Sequence, residues 1–507
     1  VTENSGRTWS RAGTLPDVPE FSFVNDIKAD LHDPDTVYVC LDNHKAGDFT
    51  PYVLKSSDRG RTWTSIRGDL PDRHIVWRLV QDHEEPDLLF LGTEFGVFFT
   101  VDGGERWVEL TGGVPTIPFR DLAIQTREND LVGATFGRGF YILDDYSPLR
   151  HVSDDTLDRQ IELFPVRQAR WYIPRRPLGY GKKASQGDSF FVAPNPPFGA
   201  AFTYYLKEPL RTREESRAER EAEIKKAGGD TPTPGWQALR EEELEEPPAV
   251  VLTVRDDAGN IVRRLTGPTG SGVHRVHWSL RYPSTDAWLP EEERGEDSVY
   301  SFIDRDEGVL AAPGTYTVHL ATRVDGRLVD SGESQRFEVT PLRDGAASPG
   351  ASPVELVAFN RAFAETQRSA AGAGRVLSET RRRLRAMREV LDRSTVDEPA
   401  LGREVRAIER RLAAMQERLR GNPRRAMAND QGPVSIRRRL RVVEFGVTYS
   451  LHGPTATHRA SYDIAREELA ELTGELNRIV RRELPALEDA LEKAGTPWTP
   501  GRPVPEE

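Results

Sequence analysis

The first 147 residues carry short apolar segments that are separated by turn residues such as Gly, Pro, Asp and Asn. Segments this short, rich in Val, Ile, Tyr and Phe, predict β-strands rather than helices. They fall into repeating sets that begin near Phe23, Ile75 and Phe119. We therefore predict about three repeats of an all-β fold in this part of the chain.

An eight-residue pattern recurs along the same stretch. It reads Ser-Ser-Asp-Arg-Gly-Arg-Thr-Trp at 56–63, returns at 100–107 and opens the chain at 2–9 with Asn in place of Asp. An Asp carboxylate that accepts backbone N–H groups makes a tight turn, Gly supplies a positive φ, and Trp packs on the neighbouring sheet. We predict a structural role for Asn4, Asp58, Gly60, Trp63, Asp102, Gly104 and Trp107.

The pattern Ser/Thr-x-Asp-x-Gly-x-x-Trp resembles the Asp-box of sialidase-like and sortilin-like β-propellers. The resemblance implies that residues 1–147 form about three blades of a partial propeller. A closed ring usually needs about four blades or more, and the chain begins inside a repeat without an initiator Met. We therefore expect an upstream segment or a separate upstream chain to complete the propeller.

Residues 148–345 have a different texture, with alternating apolar positions around turn signals. Val250, Leu252 and Val254 alternate into a turn at 256–260, and the segment 313–320 alternates in the same way. These hairpins predict an antiparallel β-sandwich of immunoglobulin-like type, although the Cys-Trp-Cys spacing of antibody domains is absent. Further strands are predicted at 160–164, 188–192, 201–206 and 276–280.

Charged segments interrupt this predicted sandwich at 211–226, 237–246 and 286–306. The first two are rich in Glu and Arg and nearly devoid of large apolar side chains, and the third is acidic. The first two predict solvated helices or mobile loops, because they have no apolar face to bury. A partner-binding arm is the functional alternative for these insertions.

The last part of the chain, residues 346–507, changes to helical periodicity. An apolar stripe advances in alternating steps of four and three residues, which predicts an antiparallel helical bundle. Pro485 is expected to kink the last helix, and Gly495 with Pro497 to end it. The stripe on the central helix consists of Leu401, Val405, Ile408, Leu412, Met415 and Leu419. The predicted fold is therefore mainly β with an all-α C-terminal part.

Composition narrows the classes of function. The chain has 507 residues, a formal net charge of -12, 30% charged residues and 37% hydrophobic residues. Its apolar runs are shorter than the about 18 residues that a membrane helix needs, so we predict no membrane span. The acidic balance argues against a nucleic-acid partner. Cys40 is the single cysteine and lies in an apolar strand segment, where a buried, unreactive thiol is expected.

Aligning the repeats identifies candidate site residues on one face. Asp26, Arg78 and Asp121 fall at equivalent positions near the start of the first strand of each repeat. Converging carboxylates and a guanidinium suit a polar ligand, and they also suit the water-filled axis of a propeller. The candidate ligand-binding residues are Arg78, Glu94, Arg138 and Asp42, the last three of these in or near loops of the same face.

Asp26 and Asp121 are also the candidate catalytic residues, because paired carboxylates can hydrolyse a glycoside. Xyloglucan-degrading glycosidases resemble this chain in carrying the box and use two Asp residues. No metal site is predicted, since His274 and His277 are three positions apart on a strand and point to opposite faces. No cofactor is predicted either.

Several segments together extend the resemblance over essentially the whole chain. The repeats, the segments 137–145 and 195–200, and the Pro-Trp-Thr-Pro-Gly stretch at 497–501 resemble the C-terminal half of large bacterial sortilin-like Asp-box proteins. Such proteins often bear the label "glycosyl hydrolase" for their repeats alone. The resemblance implies export to the periplasm or the extracellular space.

These observations predict a binding or assembly module for a protein or glycan ligand. The alternatives are a glycoside hydrolase acting on a polysaccharide and a structural subunit of an extracellular assembly. The propeller face that carries the first-strand residues would hold the ligand. A homo-oligomer is a further possible state, because open blade edges favour association.

Overall fold

A computed structural model describes residues 1–174, 193–285, 307–342, 352–395, 398–430, 432–448, 450 and 452–504. The strand predicted at 188–192 and the acidic segment 286–306 lie outside these residues. The chain divides into two compact units. Unit 1 contains Val1–Pro165, Thr203–Leu244 and Thr269–His274, and unit 2 contains Val166–Phe202, Glu245–Pro268 and Arg275–Glu507. The predicted domain boundaries near residues 147 and 345 remain predictions.

Unit 1 begins with three antiparallel sheets, each a meander of consecutive strands. Sheet 1 contains β1 (Phe23–Ala29), β2 (Val37–Asn43), β3 (Asp48–Ser56) and β4 (Thr64–Ser65). Sheet 2 contains β5 (Val76–Gln81), β6 (Leu89–Thr93), β7 (Gly96–Thr100) and β8 (Val108–Glu109). Sheet 3 contains β9 (Phe119–Gln125), β10 (Asp130–Thr135) and β11 (Phe140–Leu143). The predicted all-β character of this stretch is confirmed.

The three sheets pack face to face in chain order. One apolar cluster joins sheets 1 and 2 and includes Tyr38, Cys40, Leu79 and Leu91. A second cluster joins sheets 2 and 3 and includes Phe90, Val97, Phe119 and Leu122. Burial of each large side chain contributes about 1.5–3 kcal/mol, so each interface is stabilised chiefly by apolar contact. Cys40 is 1% exposed, and burial raises the pKa of its thiol.

Each of the three copies of the eight-residue pattern forms a hydrogen-bonded turn. Asp58 Oδ1 accepts hydrogen bonds from the backbone N–H groups of Arg61 at 2.9 Å and Thr62 at 2.8 Å. Gly60 has a φ of 81°, which a residue with a Cβ adopts only with strain. The hydrogen bonds from Thr62 are the main cause that lowers the pKa of Asp58 to about 2.

The other two copies make the same turn with local differences. Asp102 Oδ1 accepts from the backbone N–H groups at 105 and 106, and Asn4 Oδ1 accepts from Thr8 N. Gly104 has a φ of 105°. Trp107 is 7% exposed, whereas Trp9 is 74% exposed. The aromatic packing that the pattern predicts is therefore absent at Trp9, because no described sheet covers the first copy.

Further elements are a short helix, a small sheet and two charged helices. Helix α1 spans Asp154–Asp158. A three-stranded sheet has the order β12 (Ile161–Leu163), β14 (Ala200–Leu206) and β17 (Gly272–Trp278), and β12 pairs antiparallel with β14. The insertions predicted as helices or loops are helices, α2 (Arg213–Lys226) and α3 (Trp236–Leu244). Arg217 Nε donates to Glu242 Oε1 at 2.8 Å, so an ion pair rather than an apolar face joins the two helices.

Unit 2 contains a five-stranded sheet with the order β13 (Ala169–Trp171), β21 (Arg327–Pro341), β20 (Gly314–Val324), β15 (Ala249–Asp256) and β16 (Ile261–Gly267). All its neighbouring strands are antiparallel except β13 and β21, which are parallel. Trp278, Tyr316 and Phe337 form an aromatic cluster with ring centroids 5.1–6.2 Å apart. A separate two-stranded sheet pairs β18 (Arg281–Pro283) with β19 (Glu307–Leu310).

The C-terminal region is helical, as predicted, and its helices share one apolar core. The stripe from Val405 to Leu419 is at most 2% exposed, because its four-and-three spacing keeps it on one side of helix α5 (Pro399–Arg420). The helices are α4 (Pro353–Arg393), α5 (Pro399–Arg420), α6 (Pro423–Met427), α7 (Ile436–Thr448), α8 (Ala456–Arg478) and α9 (Leu484–Lys493).

Pro485 is accommodated by a change of helix type. A π-helical turn, Ile479–Glu483, links α8 to α9 and ends two residues before this proline. Proline lacks an N–H group and crowds the preceding turn, and the wider π turn relieves that crowding. Helix α9 then ends at Lys493, and Gly495 follows with a φ of 70°.

Candidate functional site

The register of the three sheets places three predicted site residues at matching positions. Asp26, Arg78 and Asp121 each lie on the first strand of their sheet, opposite Cys40, Gly92 and Ala134 respectively. The first strands begin at the same edge of the sheets as the loops between second and third strands. We call this edge of sheets 1 to 3 the loop edge.

Arg78 lies between the two carboxylates. Its Nη1 donates to Asp26 Oδ1 at 2.8 Å, and its Nε lies 2.7 Å from Asp121 Oδ1 as an ion pair. Asp26 Oδ2 also accepts the backbone N–H of Leu79 at 3.1 Å. One guanidinium thus links side chains from three successive sheets.

Exposure increases across this cluster. The side chain of Asp26 is 6% exposed, that of Arg78 is 27% and that of Asp121 is 57%. Burial alone lowers the pKa of Arg78, but the charges of Asp26 and Asp121 outweigh it and raise the pKa. The cluster therefore has a fixed inner carboxylate and an outer one that solvent or a ligand can reach.

A β-bulge lies beside each member of the cluster. The register shifts at Asn25 in β1, at Trp77 in β5 and at Arg120 in β9, so each of these residues is the extra one. A bulge redirects side chains that regular alternation would send to the opposite face. Trp77 and Arg120 thereby line the loop edge next to Arg78 and Asp121.

Asp42 contacts a histidine rather than the arginine. Its side chain is 2% exposed and lies in close hydrogen-bonding contact with His44 Nδ1. Asp42 Oδ1 also accepts the backbone N–H of His44 at 3.3 Å. This carboxylate therefore orients the His44 ring at the loop between β2 and β3.

Glu94 contacts both bulged residues of sheets 2 and 3. Its Oε2 accepts Trp77 Nε1 at 2.9 Å and lies 3.9 Å from Arg120 Nη2. The Arg120 guanidinium stacks 3.5 Å from the centre of a Trp77 ring, a close cation–π contact. Glu94 and Arg120 thus hold Trp77 from two sides.

A pocket of about 360 Å³ opens at this point of the loop edge. Sheets 1, 2 and 3 all contribute to its walls. Its lining residues are His44, Phe49, Arg73, Ile75, Trp77, Glu94, Phe95 and Arg120. Aromatic rings, two guanidinium groups, one imidazole and one carboxylate in a concave site are typical of a pocket for a polar organic ligand.

Sequence reasoning identified Glu94 among these residues and missed the others. Arg73 and His44 lie in loops that carry no pattern of their own, and Trp77 and Arg120 reach the pocket only because of the bulges. The one available signal was adjacency, since Trp77 precedes Arg78 and Arg120 precedes Asp121. Arg138 is different: its backbone N–H donates to Thr135 Oγ1, and within the described ranges no contact joins its side chain to the cluster.

Among the described residues, no helix is both long enough and apolar enough to cross a membrane. No group of three or more His, Cys, Asp or Glu side chains among them is arranged to hold a metal ion.

Comparison with known proteins adds little to this geometry. No family model matches the chain. No curated protein sequence matches it either. The site therefore has to be interpreted from its own side chains.

Solved structures with some likeness come from bacterial proteins. One is PorZ, a surface component of the type-IX secretion system of Porphyromonas gingivalis, with 13% identity, a TM-score of 0.21, and coverage of 62% of this chain and 30% of PorZ. Another is a GH74 enzyme of Niastella koreensis, with 14% identity, a TM-score of 0.22, and coverage of 62% and 46%.

A third is a GH74 xyloglucanase of Xanthomonas campestris, with 14% identity, a TM-score of 0.20, and coverage of 60% of this chain and 37% of the enzyme. The chain thus spans from 30% to 46% of the length of these three proteins. At these TM-scores the likeness carries no inference about activity.

Proposed function

We propose that sheets 1 to 3 are consecutive blades of an incomplete β-propeller in an exported protein, and that their loop edge binds a polar ligand. The observation that carries the proposal is the convergence of Asp26, Arg78 and Asp121 beside a preformed aromatic and charged pocket. Ligand sites are usually concave, largely preformed and equipped with a few convergent polar groups. The protein then acts as a binding or assembly module for a glycan or protein partner.

The position of Arg78 favours binding over hydrolysis. A glycosidase needs one carboxyl group that carries a proton for the leaving oxygen. The Arg78 guanidinium lies 2.8 Å from Asp26 and 2.7 Å from Asp121, so it fills the space between the two carboxylates where a glycosidic bond would have to lie. Carboxylate oxygens arranged around one cation suit hydrogen bonds from ligand hydroxyl groups.

The glycoside hydrolase remains the second candidate function. The observation that favours it is that Asp26 and Asp121 approach the same guanidinium from different sheets, which brings two carboxylates to one place. In that mechanism Asp26 and Asp121 would be the general acid and the second catalytic carboxylate, after a substrate had displaced Arg78.

The packing of the sheets supports a further blade before sheet 1. Ile27, Leu79 and Leu122 hold the same register position in β1, β5 and β9. Leu79 and Leu122 are 1% and 4% exposed because a preceding sheet covers them, whereas Ile27 is 64% exposed. We propose that a preceding blade of the same repeat, from an upstream segment or a separate chain, packs on this face of sheet 1. In this scheme the immunoglobulin-like sandwich and the helical bundle serve to recruit partners.

Affinity electrophoresis tests the binding proposal. Native gels that contain a neutral or an acidic soluble polysaccharide should retard the chain, and Arg78→Gln and Asp121→Asn should abolish the retardation. Arg127→Gln is the matched control, because Arg127 is a 76% exposed arginine paired with Glu128. Unchanged mobility of the wild-type chain in every polysaccharide would contradict a glycan ligand.

The same polysaccharides separate binding from hydrolysis. We expect no release of reducing ends above the blank from any of them. Release by the wild-type chain that Asp26→Asn and Asp121→Asn both remove would replace the binding proposal with the glycosidase.

A further inference from the structure

The pocket at the loop edge carries an excess of positive charge. Its basic side chains are His44, Arg73 and Arg120, and its one acidic side chain is Glu94. Arg120 forms a long ion pair with Glu94 at 3.9 Å, without a hydrogen bond. Arg73 pairs with no carboxylate among the described residues. An anionic group on a ligand would therefore meet Arg73 and the open edge of Arg120.

The two guanidinium groups keep their N–H donors available. Arg120 stacks on Trp77 at 3.5 Å, and Arg73 lies 5.8 Å from the centre of the Phe49 ring. Among the residues that the structure describes, neither guanidinium donates a hydrogen bond to an acceptor. Stacking fixes the plane of a guanidinium and leaves its edge, which carries the donors, for a planar anion.

Apolar surface accompanies these charges. Phe49 and Phe95 line the pocket and are 39% and 41% exposed. The volume of about 360 Å³ lies at the lower end of the range for small-molecule sites, about 300–1,000 Å³. An inorganic anion would leave these rings without contact, so the pocket fits an anion that also has an apolar face.

The acceptors at the loop edge define the rest of the ligand. Glu94 Oε2 accepts from Trp77, and none of the described residues donates a hydrogen bond to its Oε1. Asp121 is 57% exposed beside the pocket residue Arg120. Ionised carboxylates only accept hydrogen bonds, so they require hydroxyl or N–H donors on the ligand.

We infer that this pocket binds a sugar that carries a carboxylate, such as a uronic acid unit of an acidic polysaccharide. The inference rests on the proposed function, because it names the ligand class of the same loop edge. The sugar carboxylate pairs with the edges of Arg73 and Arg120, its hydroxyl groups donate to Glu94 and Asp121, and one ring face packs on Phe49 or Phe95. A sugar acid supplies all three features in one residue-sized unit.

Isothermal titration calorimetry with trigalacturonic acid and its fully methyl-esterified form tests the inference on the intact chain. The acid should bind, and the ester should bind at least about 10-fold more weakly, because it keeps the ring and hydroxyl groups but loses the charge. Arg120→Gln and Arg73→Gln should each weaken binding of the acid by about 10- to 100-fold, the range for one charge-assisted hydrogen bond.

Two controls keep a folding defect from imitating this result. Arg127→Gln, a surface arginine outside the pocket, should bind the acid as the wild-type chain does. Arg120→Lys retains the charge and the stack on Trp77 but loses the planar fork, so its affinity should lie between those of wild type and Arg120→Gln. Circular dichroism should show the same spectrum for all four variants.

Equal affinity for acid and ester would overturn the inference and leave the proposed function intact. Binding of a Glu-rich peptide, with no binding of either oligosaccharide, would overturn it in favour of an acidic protein partner. Absence of binding to the acid, the ester and the peptide would overturn the inference, and the gels with neutral polysaccharides would then decide separately whether the proposed function stands.

Discussion

Two ion pairs with nearly buried carboxylates join residues that are far apart in the sequence of unit 1. One is Asp26 with Arg78, and the other is Asp82 with Arg150, whose side chains are 0% and 6% exposed. Arg150 Nη2 donates to Asp82 Oδ1 at 2.8 Å, and Tyr146 donates to the same oxygen at 2.9 Å. Charges removed from water are stable only when their partners satisfy them this completely.

Removal of the Asp82 charge should destabilise unit 1. In Asp82→Asn the Arg150 cation keeps Glu84 at 2.8 Å but loses its buried partner, so we expect a cost of about 3 kcal/mol in the free energy of unfolding. Urea titration followed by tryptophan fluorescence measures this cost. Asp158→Asn is the control, since Asp158 is 83% exposed and its loss should cost at most about 0.5 kcal/mol.

The same variant has a distinct dependence on pH. Burial alone raises the pKa of Asp82, but hydrogen bonds from Arg150 and the backbone of Glu84 and Glu85 outweigh it and lower the pKa. Its stabilisation is therefore complete above the unfolded pKa, about 3.9, and is lost as pH falls through the lower folded value. The difference between wild type and Asp82→Asn should shrink below about pH 4. A constant difference down to pH 2 would contradict this assignment.

At the scale of single residues, the sequence identified part of the candidate site. Alignment of the repeats placed Asp26, Arg78 and Asp121 at equivalent positions, and the structure brings their side chains into contact. The alignment did not identify Trp77 and Arg120. In a regular strand they would point to the face opposite their neighbours Arg78 and Asp121, and the sequence pattern does not reveal the bulges that redirect them.

At the scale of elements, the outer faces of the three sheets differ from the inner ones. Phe140 and Ile142 of β11 are 76% and 59% exposed, although Val97 and Phe99 at the matching positions of sheet 2 belong to a buried cluster. Ile27 at the other end is exposed in the same way. The two end faces are therefore built like internal interfaces that have no neighbour in the described residues.

Matched truncations measure whether the face of sheet 1 is open. Leu79→Ala should lower the free energy of unfolding by about 2–5 kcal/mol, because it leaves a cavity between sheets 1 and 2. Ile27→Ala, at the same register position, should cost at most about 0.5 kcal/mol in the isolated chain. Similar costs for both variants in urea titrations would mean that a second copy or another partner already covers Ile27.

The elements were predicted unevenly. The stripe on α5 was predicted residue by residue, because helical spacing and burial follow from the same period of apolar positions. The sequence predicted a kink at Pro485, and the structure has a π turn shortly before it. The position of the lost N–H follows from the sequence, but the change of helix type does not. For residues 213–226 the sequence left helix and mobile loop as alternatives, and the structure has a helix. The sequence could not decide between them, because the ion pair that joins this helix to α3 is not visible in a local pattern.

At the scale of the whole molecule, the predicted order of β-rich and helical parts is confirmed. Composition, turn residues and periodicity determine which class of element forms in each part of the chain. Closure of the sheets into a ring requires further blades, which are not among the described residues. The proposed propeller therefore rests on the repeated register and packing of sheets 1 to 3.

Hydrogen–deuterium exchange of the whole chain, with and without the oligosaccharide that retards it in gels, tests the central claim most directly. A ligand at the loop edge should slow exchange in residues 43–49, 73–78, 93–96 and 119–121, and leave the helices at 353–493 unchanged. Slowing confined to the helices or to the five-stranded sheet of unit 2 would contradict the claim that the loop edge of sheets 1 to 3 is the binding site.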